Sequence, residues 1–554
     1  MTETSDQWWK TAVVYCLDIE TFFDSDGDGT GDVAGLVDRI DYLAELGVTC
    51  LWLMPFYPTP DRDDGYDVMD FYGVDPRLGN LGDVVELVRT AKDRGIRVIV
   101  DLLINHTSDR HPWFKAARRS KDNPFRDYYV WRADAPPDTS HLAVFPDAED
   151  GIWTLDERTS EWYLHHFYSH QPDLNVANPA VRDEIMKVVG FWLELGVDGF
   201  RVDAVPFFLE DVGMTGQDAD AMADPHRHLE DIRAFCGRRR GDAILLGEVN
   251  VPRTEQVRYF GDGHQLHMMF DFVTMQQMYL SLARGDARPL TKALLERPEI
   301  PEDCQWATFV RNHDELTLDK LTETEREEVF AAFGPEESMQ VFGRGLKRRV
   351  PPMMDGDPRR VRLVYSLLFS LPGTPALYYG EEIGMGEDLE ADGRMAVRTP
   401  MQWSPEKNGG FSTAPPSRLV ARPVPGSYGP QFVNVHDQVR DAGSLWHFVR
   451  QLVQIYRSHP ELGRGGLEVL DQPHPEVLAH SVAWHERIVV AVHNLCGEAR
   501  TVPLRLDLPS GAVLESLVSH ESHELADDGA LDLTLEGYGH EWFRVHLPGR
   551  LRRP

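Results

Sequence analysis

The stretch LGDVVELVRTAKDRG (81–95), followed at once by RVIVDLLIN (97–105), reads as one helix–strand unit. Apolar residues recur at helical spacing in the first segment, which ends on Gly95, a residue that turns a chain out of a helix. The second segment is apolar on both faces, as a strand buried in a parallel sheet must be. On either side the unit repeats. VVYCLDI (13–19), GLVDRIDYLAELG (35–47) and CLWLMPFY (50–57) read as strand, helix and strand. NPAVRDEIMKVVGFWLELG (178–196) reads as a helix, with Asn178 as N-cap and Pro179 in its first turn, leading into strand GFRVDAV (199–205). Helix HLEDIRAFCGRRR (228–240) leads into strand AILLGEVN (243–250). HMMFDFV (267–273), helical MQQMYLSLARG (275–285), QWATFVRNH (305–313) and PALYYGEE (375–382) complete eight strands, and SLWHFVRQLVQIYRSHP (444–460) is a closing helix. Eight parallel strands joined by crossover helices predict an α/β fold, a (β/α)8 TIM barrel.

Two interruptions break the rhythm. Residues 106–170 are rich in Asp, Pro, Arg, Trp and Tyr without a long periodic segment, and predict a subdomain inserted after strand three. A charged insertion, roughly 316–360, follows strand seven. From 464 onward LEVLDQ, AHSVAWH, RIVVAVHNL, ARTVPLRLDL, GAVLESLVS and EWFRVHL are short alternating segments, which predict an antiparallel β-sandwich. The expected domains are a barrel from 1–105 and 171–463, an inserted domain at 106–170 and a C-terminal domain at 464–554.

Composition narrows the function. Lys and Arg number 56 against 90 Asp and Glu, a net charge of −34. Such a chain repels phosphate backbones and anionic lipids, so neither nucleic acid nor membrane is an expected partner. Cys16, Cys50, Cys236, Cys304 and Cys496 are scattered and odd in number, which suits reduced thiols and offers no zinc spacing. MTETSDQWWK lacks the basic and apolar regions of a secretory signal, and a cytoplasmic location is the expectation.

In such barrels the reacting groups sit at the C-terminal ends of strands. Here Asn105 and His106 end strand three, Arg201 and Asp203 share a face of strand four, Glu248 ends strand five, and His313 and Asp314 end strand seven. Convergent carboxylates without a Ser or Cys nucleophile point to acid–base chemistry on a sugar. The loop DSDGDGTGD (24–32) alternates acidic side chains with glycines, and hard cations take such oxygen ligands.

The ordered blocks DDGYDV (63–68), DLLINH (101–106), QPDLN (171–175), GFRVDAV (199–205), GEVN (247–250), RNHDE (311–315) and VRTPMQW (397–403) resemble the motifs of the alpha-amylase family, glycoside hydrolase family 13. The resemblance implies a retaining enzyme in which Asp203 is the nucleophile, Glu248 the general acid/base and Asp314 the transition-state stabiliser. It implies further that Arg201 orients Asp203, that His106 and His313 bind sugar hydroxyls, that Tyr66 stacks on the ring, and that Asp63 and Arg398 pair to grip the terminal glucose. It assigns a cation, Ca2+ or Mg2+, to Asp24, Asp26, Asp28, the Thr30 backbone and Asp32. A second Ca2+ falls to Asn105, Asp173, Glu210 and the carbonyls of Phe207 and Phe208. No organic cofactor is implied. Within the family, INHTSDRHPWF (104–114), FYSHQPDLN (167–175), IPEDCQWATFVRNHDELTL (300–318) and RTPMQWSP (398–405) resemble members that interconvert maltose and trehalose. Those members read AEANQWP where this chain reads GEVNVPR (247–253), and the segment DTSHLAVFPDAEDGIW (138–153) also departs from them. The expected substrate is therefore a small alpha-glucoside such as maltose or trehalose, and a homo-oligomer is compatible with this reading. The alternative is an exo-acting alpha-glucosidase.

Overall fold

Eight short strands, buried along their length save for Arg97, close on one another in the computed structural model, which describes residues 7–209, 224–519, 521–526 and 529–548. They are β1 (Val14–Leu17), β2 (Cys50–Leu53), β3 (Arg97–Leu102), β4 (Gly199–Val202), β5 (Ile244–Gly247), β6 (Met268–Phe270), β7 (Gln305–Phe309) and β8 (Thr374–Tyr378). Each pairs in parallel with its sequence neighbours, and β8 returns to β1 through Val14 opposite Ala376. Crossover helices surround the barrel: α1 (Val33–Leu46), α2 (Leu81–Asp93), α3 (Pro179–Leu195), α4 (Arg227–Arg239), α5 (Phe272–Arg284), α6 (Pro358–Ser370) and α7 (Leu445–Ser458). Asn80 and Asp83 form a capping box on α2, so the helix that opens the sequence reading has a fixed start. Gly47 and Gly196 end α1 and α3 in the left-handed region, where a side chain would be strained.

Between β3 and α3 lies a small antiparallel sheet of Trp131–Arg132, Glu161–Leu164 and Trp153–Asp156, with its own apolar cluster around Ile152 and Trp153. After β7 comes a second one, Leu316–Thr317, Gly345–Leu346 and Gln340–Val341. That region is more regular than its charge suggests: it also carries helix Glu323–Phe333, with a Thr322/Glu325 capping box. Downstream of it, α6 has no counterpart in the sequence reading. From Leu363 to Ser370 every residue is buried, so the helix shows no polar face to reveal its period.

The C-terminal region folds as a six-stranded antiparallel sheet (466–470, 477–484, 487–494, 540–546, 513–516, 522–524) facing a two-stranded ladder of Arg500–Arg505 and Ala530–Leu535. Val490, Val492 and Phe543 pack there against Val502, Leu504 and Leu533, the inner layer of a sandwich. The other face joins the barrel core through Leu478, Val489 and Trp542. Two of these strands, Ser522–Glu524 and Ala530–Leu535, are absent from the sequence reading. Among the described residues no helix is long and apolar enough to cross a membrane.

Candidate active site

The strands end earlier than their apolar runs, so most polar groups sit on the loops that leave the barrel. Asp203 and Glu248 are each the first residue past β4 and β5, and their amides still join the ladder, to the carbonyls of Leu102 and Val202. That backbone pairing fixes where the two carboxylates start. Asn105 and His106 lie three and four residues past β3, and His313 and Asp314 four and five past β7.

Arg201, fully buried within β4, organises the centre. Its Nη1 donates to Asp203 Oδ1 (2.5 Å) and to Asp101 Oδ1 (2.8 Å), and its Nη2 meets Glu248 Oε2 at 2.8 Å. Ala204 adopts φ 49° and ψ 40°, a left-handed conformation uncommon for alanine. Its amide donates to Glu248 Oε2 at 3.1 Å. Burial pushes the Asp203 carboxyl up to about 6, with Asp101 and Asp314 adding to it and Arg201 opposing. Burial likewise pushes Glu248 up to about 7, against the pull of Arg201. Asp314 goes the other way: burial opposes ionisation, but His313, Arg394 and Arg398 hold it well below the usual carboxylate range. Three carboxyl groups within one site thus have different readiness to hold a proton.

Asp63 and Arg398 are not each other's partners. Arg394 Nη2 donates to Asp63 Oδ1 (2.9 Å) and its Nη1 to Asp314 Oδ1, while Gln171 Nε2 donates to Asp63 Oδ2 (2.8 Å). Arg398 donates to Asp64 Oδ2 (2.6 Å), Asp314 Oδ1 (3.0 Å) and the His313 carbonyl (2.9 Å). The expected pairing is replaced because the turn at Gly393–Val397 brings Arg394, one helical turn ahead of Arg398, onto Asp63. Both arginines and Asp63 line a cleft of about 410 Å3 shared with Glu20, Tyr168 and Phe342.

Tyr66 and His313 lie parallel within 5°, ring centres 5.5 Å apart, with Tyr66 Oη 2.7 Å from His313 Nε2. Burial drives His313 down to about 4, so it is a neutral imidazole. Its Nε2 is 3.1 Å from Asp314 Oδ2. His106 Nε2 donates to the Tyr66 carbonyl (3.1 Å), and His106 forms an isolated β-bridge with Asp173 that ties the inserted region to β3.

The residues assigned to cations divide. Carboxylate oxygens of Asp24, Asp26 and Asp28 lie within 4.8 Å of one another, an all-oxygen set that suits a hard divalent ion. Asp24 is also held by the amides of Gly27 (2.7 Å) and Gly29 (2.9 Å). Asp32 takes bonds from Ser25 and from the Gly35 amide (2.7 Å) and so acts as the N-cap of α1. Thr30 enters through its backbone, its amide donating to Asp28 Oδ1 (2.8 Å). In the second set Asn105 Nδ2 donates to Asp173 Oδ1 (3.1 Å) and His166 Nδ1 donates to Asp173 Oδ2, so nitrogen donors already meet that carboxylate. Phe207 and Phe208 belong to the single turn Val205–Phe208, and Glu210 lies outside the described residues.

Arg394, Gln171, Asp64 and Asp101 are the site residues that sequence reasoning missed. Three of them lie inside blocks already singled out, DDGYDV, DLLINH and QPDLN, and Arg394 lies four residues before Arg398.

Comparison with known proteins places the chain. The family model described as alpha amylase, catalytic domain, matches residues 19–332 and 346–465, and a model for a sucrose hydrolase-like C-terminal domain matches 487–544. A protein named trehalose synthase/amylase TreS from Mycobacterium tuberculosis is 40% identical over 546 residues, 97% of this chain and 90% of its own. A trehalose synthase from a Pimelobacter species is 38% identical over 570 residues, 99% of this chain and 97% of its own. Among solved structures, the trehalulose synthase MutB from Pseudomonas mesoacidophila superposes with a TM-score of 0.77 at 26% identity, covering 97% of this chain and 99% of that one. With the barrel, the three carboxylates and these matches together, the chain belongs to the alpha-amylase family, glycoside hydrolase family 13.

Proposed function

We propose that the enzyme interconverts maltose and trehalose by moving a glucosyl group within one bound disaccharide. One observation carries the chemistry: a single buried guanidinium, Arg201, holds Asp203 and Glu248 on adjacent strand ends. Similarity to relatives named trehalose synthase supports the choice of sugars. Asp203 attacks C1 of the glucosyl unit while Glu248 gives its proton to the departing oxygen, leaving a glucosyl ester on Asp203 and a free glucose. Asp314, kept ionised by its two arginines, stabilises the positive charge that develops at C1. The freed glucose turns, its C1 hydroxyl attacks the ester, and Glu248 takes the proton back. Asp63 and Arg394 close the pocket behind one glucosyl unit, so short substrates are preferred to internal chain positions.

Water competes for the ester, so the mouth must close while it lives. Two contacts join the inserted regions there. Phe145 packs on Phe342 at 4.9 Å, and Arg344 Nη1 donates to the Val144 carbonyl at 2.7 Å. Arg394 stacks over Phe145 at 5.0 Å, linking this cover to the pocket floor. Arg253, in the divergent segment after the acid, turns away from the mouth onto Asp271 (3.3 Å) and Thr274 (2.9 Å) of α5. At that one position the divergence points away from the site.

A hard divalent cation, Ca2+ or Mg2+, is proposed at Asp24, Asp26 and Asp28, with Asp32 and Thr30 beside them. A second Ca2+ is proposed at Asn105, Asp173, Phe207, Phe208 and Glu210. Both are structural, and no organic cofactor is needed. A cytoplasmic location fits the five free thiols. The test is product analysis. Maltose should yield mainly trehalose with minor glucose, and trehalose should yield maltose. Glucose as the dominant early product would replace this reading by an alpha-glucosidase, the activity suggested by relatives named oligo-1,6-glucosidase at 30% identity.

A further inference from the structure

Three carboxylates share the one guanidinium at the centre of the site, and the third has no role in the reaction just described. Asp101, the fifth residue of β3, is fully buried. Its Oδ1 accepts from Arg201 Nη1 (2.8 Å), the same nitrogen that serves Asp203. Its Oδ2 accepts from Trp52 Nε1 (3.1 Å) and Tyr66 Oη (3.4 Å). Among the described residues Arg201 Nε has no hydrogen-bond partner, so the bonding shown is spent on these three acids through its two terminal nitrogens. No sugar can reach Asp101 behind Arg201 and Trp52, whose ring lies 5.1 Å from the guanidinium carbon.

We propose that Asp101 is a positioning residue that occupies half of Arg201's charge, so that Glu248 keeps the proton it must donate. One positive charge cannot neutralise three negative ones in a buried site, so a proton stays within the group, and the reaction needs that proton on Glu248. The other charges facing Asp101 leave this balance in place. From β4 and its exit come Arg201 and Asp203, from β5 Glu248, and from the β7 exit His313 and Asp314. His313 is neutral, and Asp314 is balanced by Arg394 and Arg398. From β1 the neighbour is Cys16, and from the loop after β2 come Tyr57 and Tyr66, whose acidic groups burial keeps protonated.

This inference rests on Glu248 being the acid, and the experiment separates the two. Asp101→Asn keeps the shape and removes the charge. Arg201 then pairs fully with Asp203 and Glu248, and Glu248 loses its proton at lower pH. The falling, alkaline limb of the rate profile on maltose should move at least half a pH unit toward acid. On alpha-glucosyl fluoride, whose leaving group needs no proton, the variant should show no such acid-ward move of an alkaline limb. If Asp101→Asn destabilises the protein, Trp52→Phe, which loosens Asp101 from its indole donor, should move the limb the same way by less. A limb that stays within 0.2 unit of the parent in a folded variant overturns the role of Asp101. If Glu248→Gln retains the alkaline limb, the assignment of the acid fails instead.

Discussion

At the scale of single residues, the environment sets what each carboxylate does. Asp203 must be ionised to attack, and with its carboxyl raised to about 6 the rate should climb as pH rises through that value. Glu248 must be protonated to release the leaving oxygen, and with its carboxyl at about 7 the rate should fall above that value. The two interact, so the profile reports the pair: a narrow bell between apparent values near 6 and 7. Asp203→Asn should lower turnover at least about a thousandfold, on the order of 4 kcal/mol of barrier, with the melting temperature nearly kept. Glu248→Gln should abolish the alkaline limb. A flat profile from pH 5 to 8 in the parent would contradict both assignments. Arg394→Ala should be as damaging as Arg398→Ala, since it releases Asp63 and removes one of the two arginines on Asp314. Sequence showed the three carboxylates because each lies within a distinctive block. It did not show which arginine faces Asp63, because that depends on the turn at Gly393–Val397, where spacing along the chain says nothing about direction.

At the scale of elements, all eight barrel strands were legible, since each is an apolar run bounded by polar residues. Their ends were not. Apolar runs such as RVIVDLLIN continue past the last ladder pair, because buried loop and buried strand have the same composition. Helix α6 was missed for a related reason, and the sheet at Leu316–Leu346 because two-residue strands carry no period. The hairpin of that sheet turns at Phe342 and Gly343, both with positive φ, and so presents Phe342 to Phe145. Arg344→Ala should loosen this cover and raise the glucose released per trehalose formed from maltose at least about twofold, with total maltose consumption little changed. The 24–32 loop is anchored at one end by the Asp32 cap on α1 and at the other by Ser412 on Asp24. Chelation should therefore lower the melting temperature without unfolding the protein at 25 °C, because a cation that binds only the native state adds stability. Metal analysis finding none bound, with an unchanged melting temperature, would remove the cation from this loop.

At the scale of the whole molecule, the barrel and the C-terminal sandwich meet across α6 and a ladder of three imidazoles. His480, His493 and His540 lie on three adjacent strands, with ring centres 6.0 and 6.3 Å apart along the series. The Trp542 indole donates to Ser366 Oγ (2.9 Å), which also hydrogen-bonds with His493 Nε2 (2.9 Å). His480 Nε2 donates to the Ser370 carbonyl (3.0 Å). Burial lowers His480 and His540 to about 4, and His493 further, so all three are neutral in the fold. In the unfolded chain each takes a proton near pH 6.5. Between about 6.5 and 4 the unfolded state thus binds more protons, and stability is lost as pH falls through that window. Buried carboxyls act oppositely: Glu20, raised to about 9, and Glu381, to about 8, bind protons in the native state first and gain stability on acidification. The parent's melting curve against pH therefore mixes the two. A difference between parent and variant does not, because the carboxyls are common to both. His480→Gln keeps a donor for the Ser370 carbonyl and removes one titrating ring. From pH 7.5 to 5 the variant should lose less melting temperature than the parent, a gap of on the order of 1–3 kcal/mol at the acid end. Parallel curves across that range would mean that the imidazole ladder does not couple domain docking to pH.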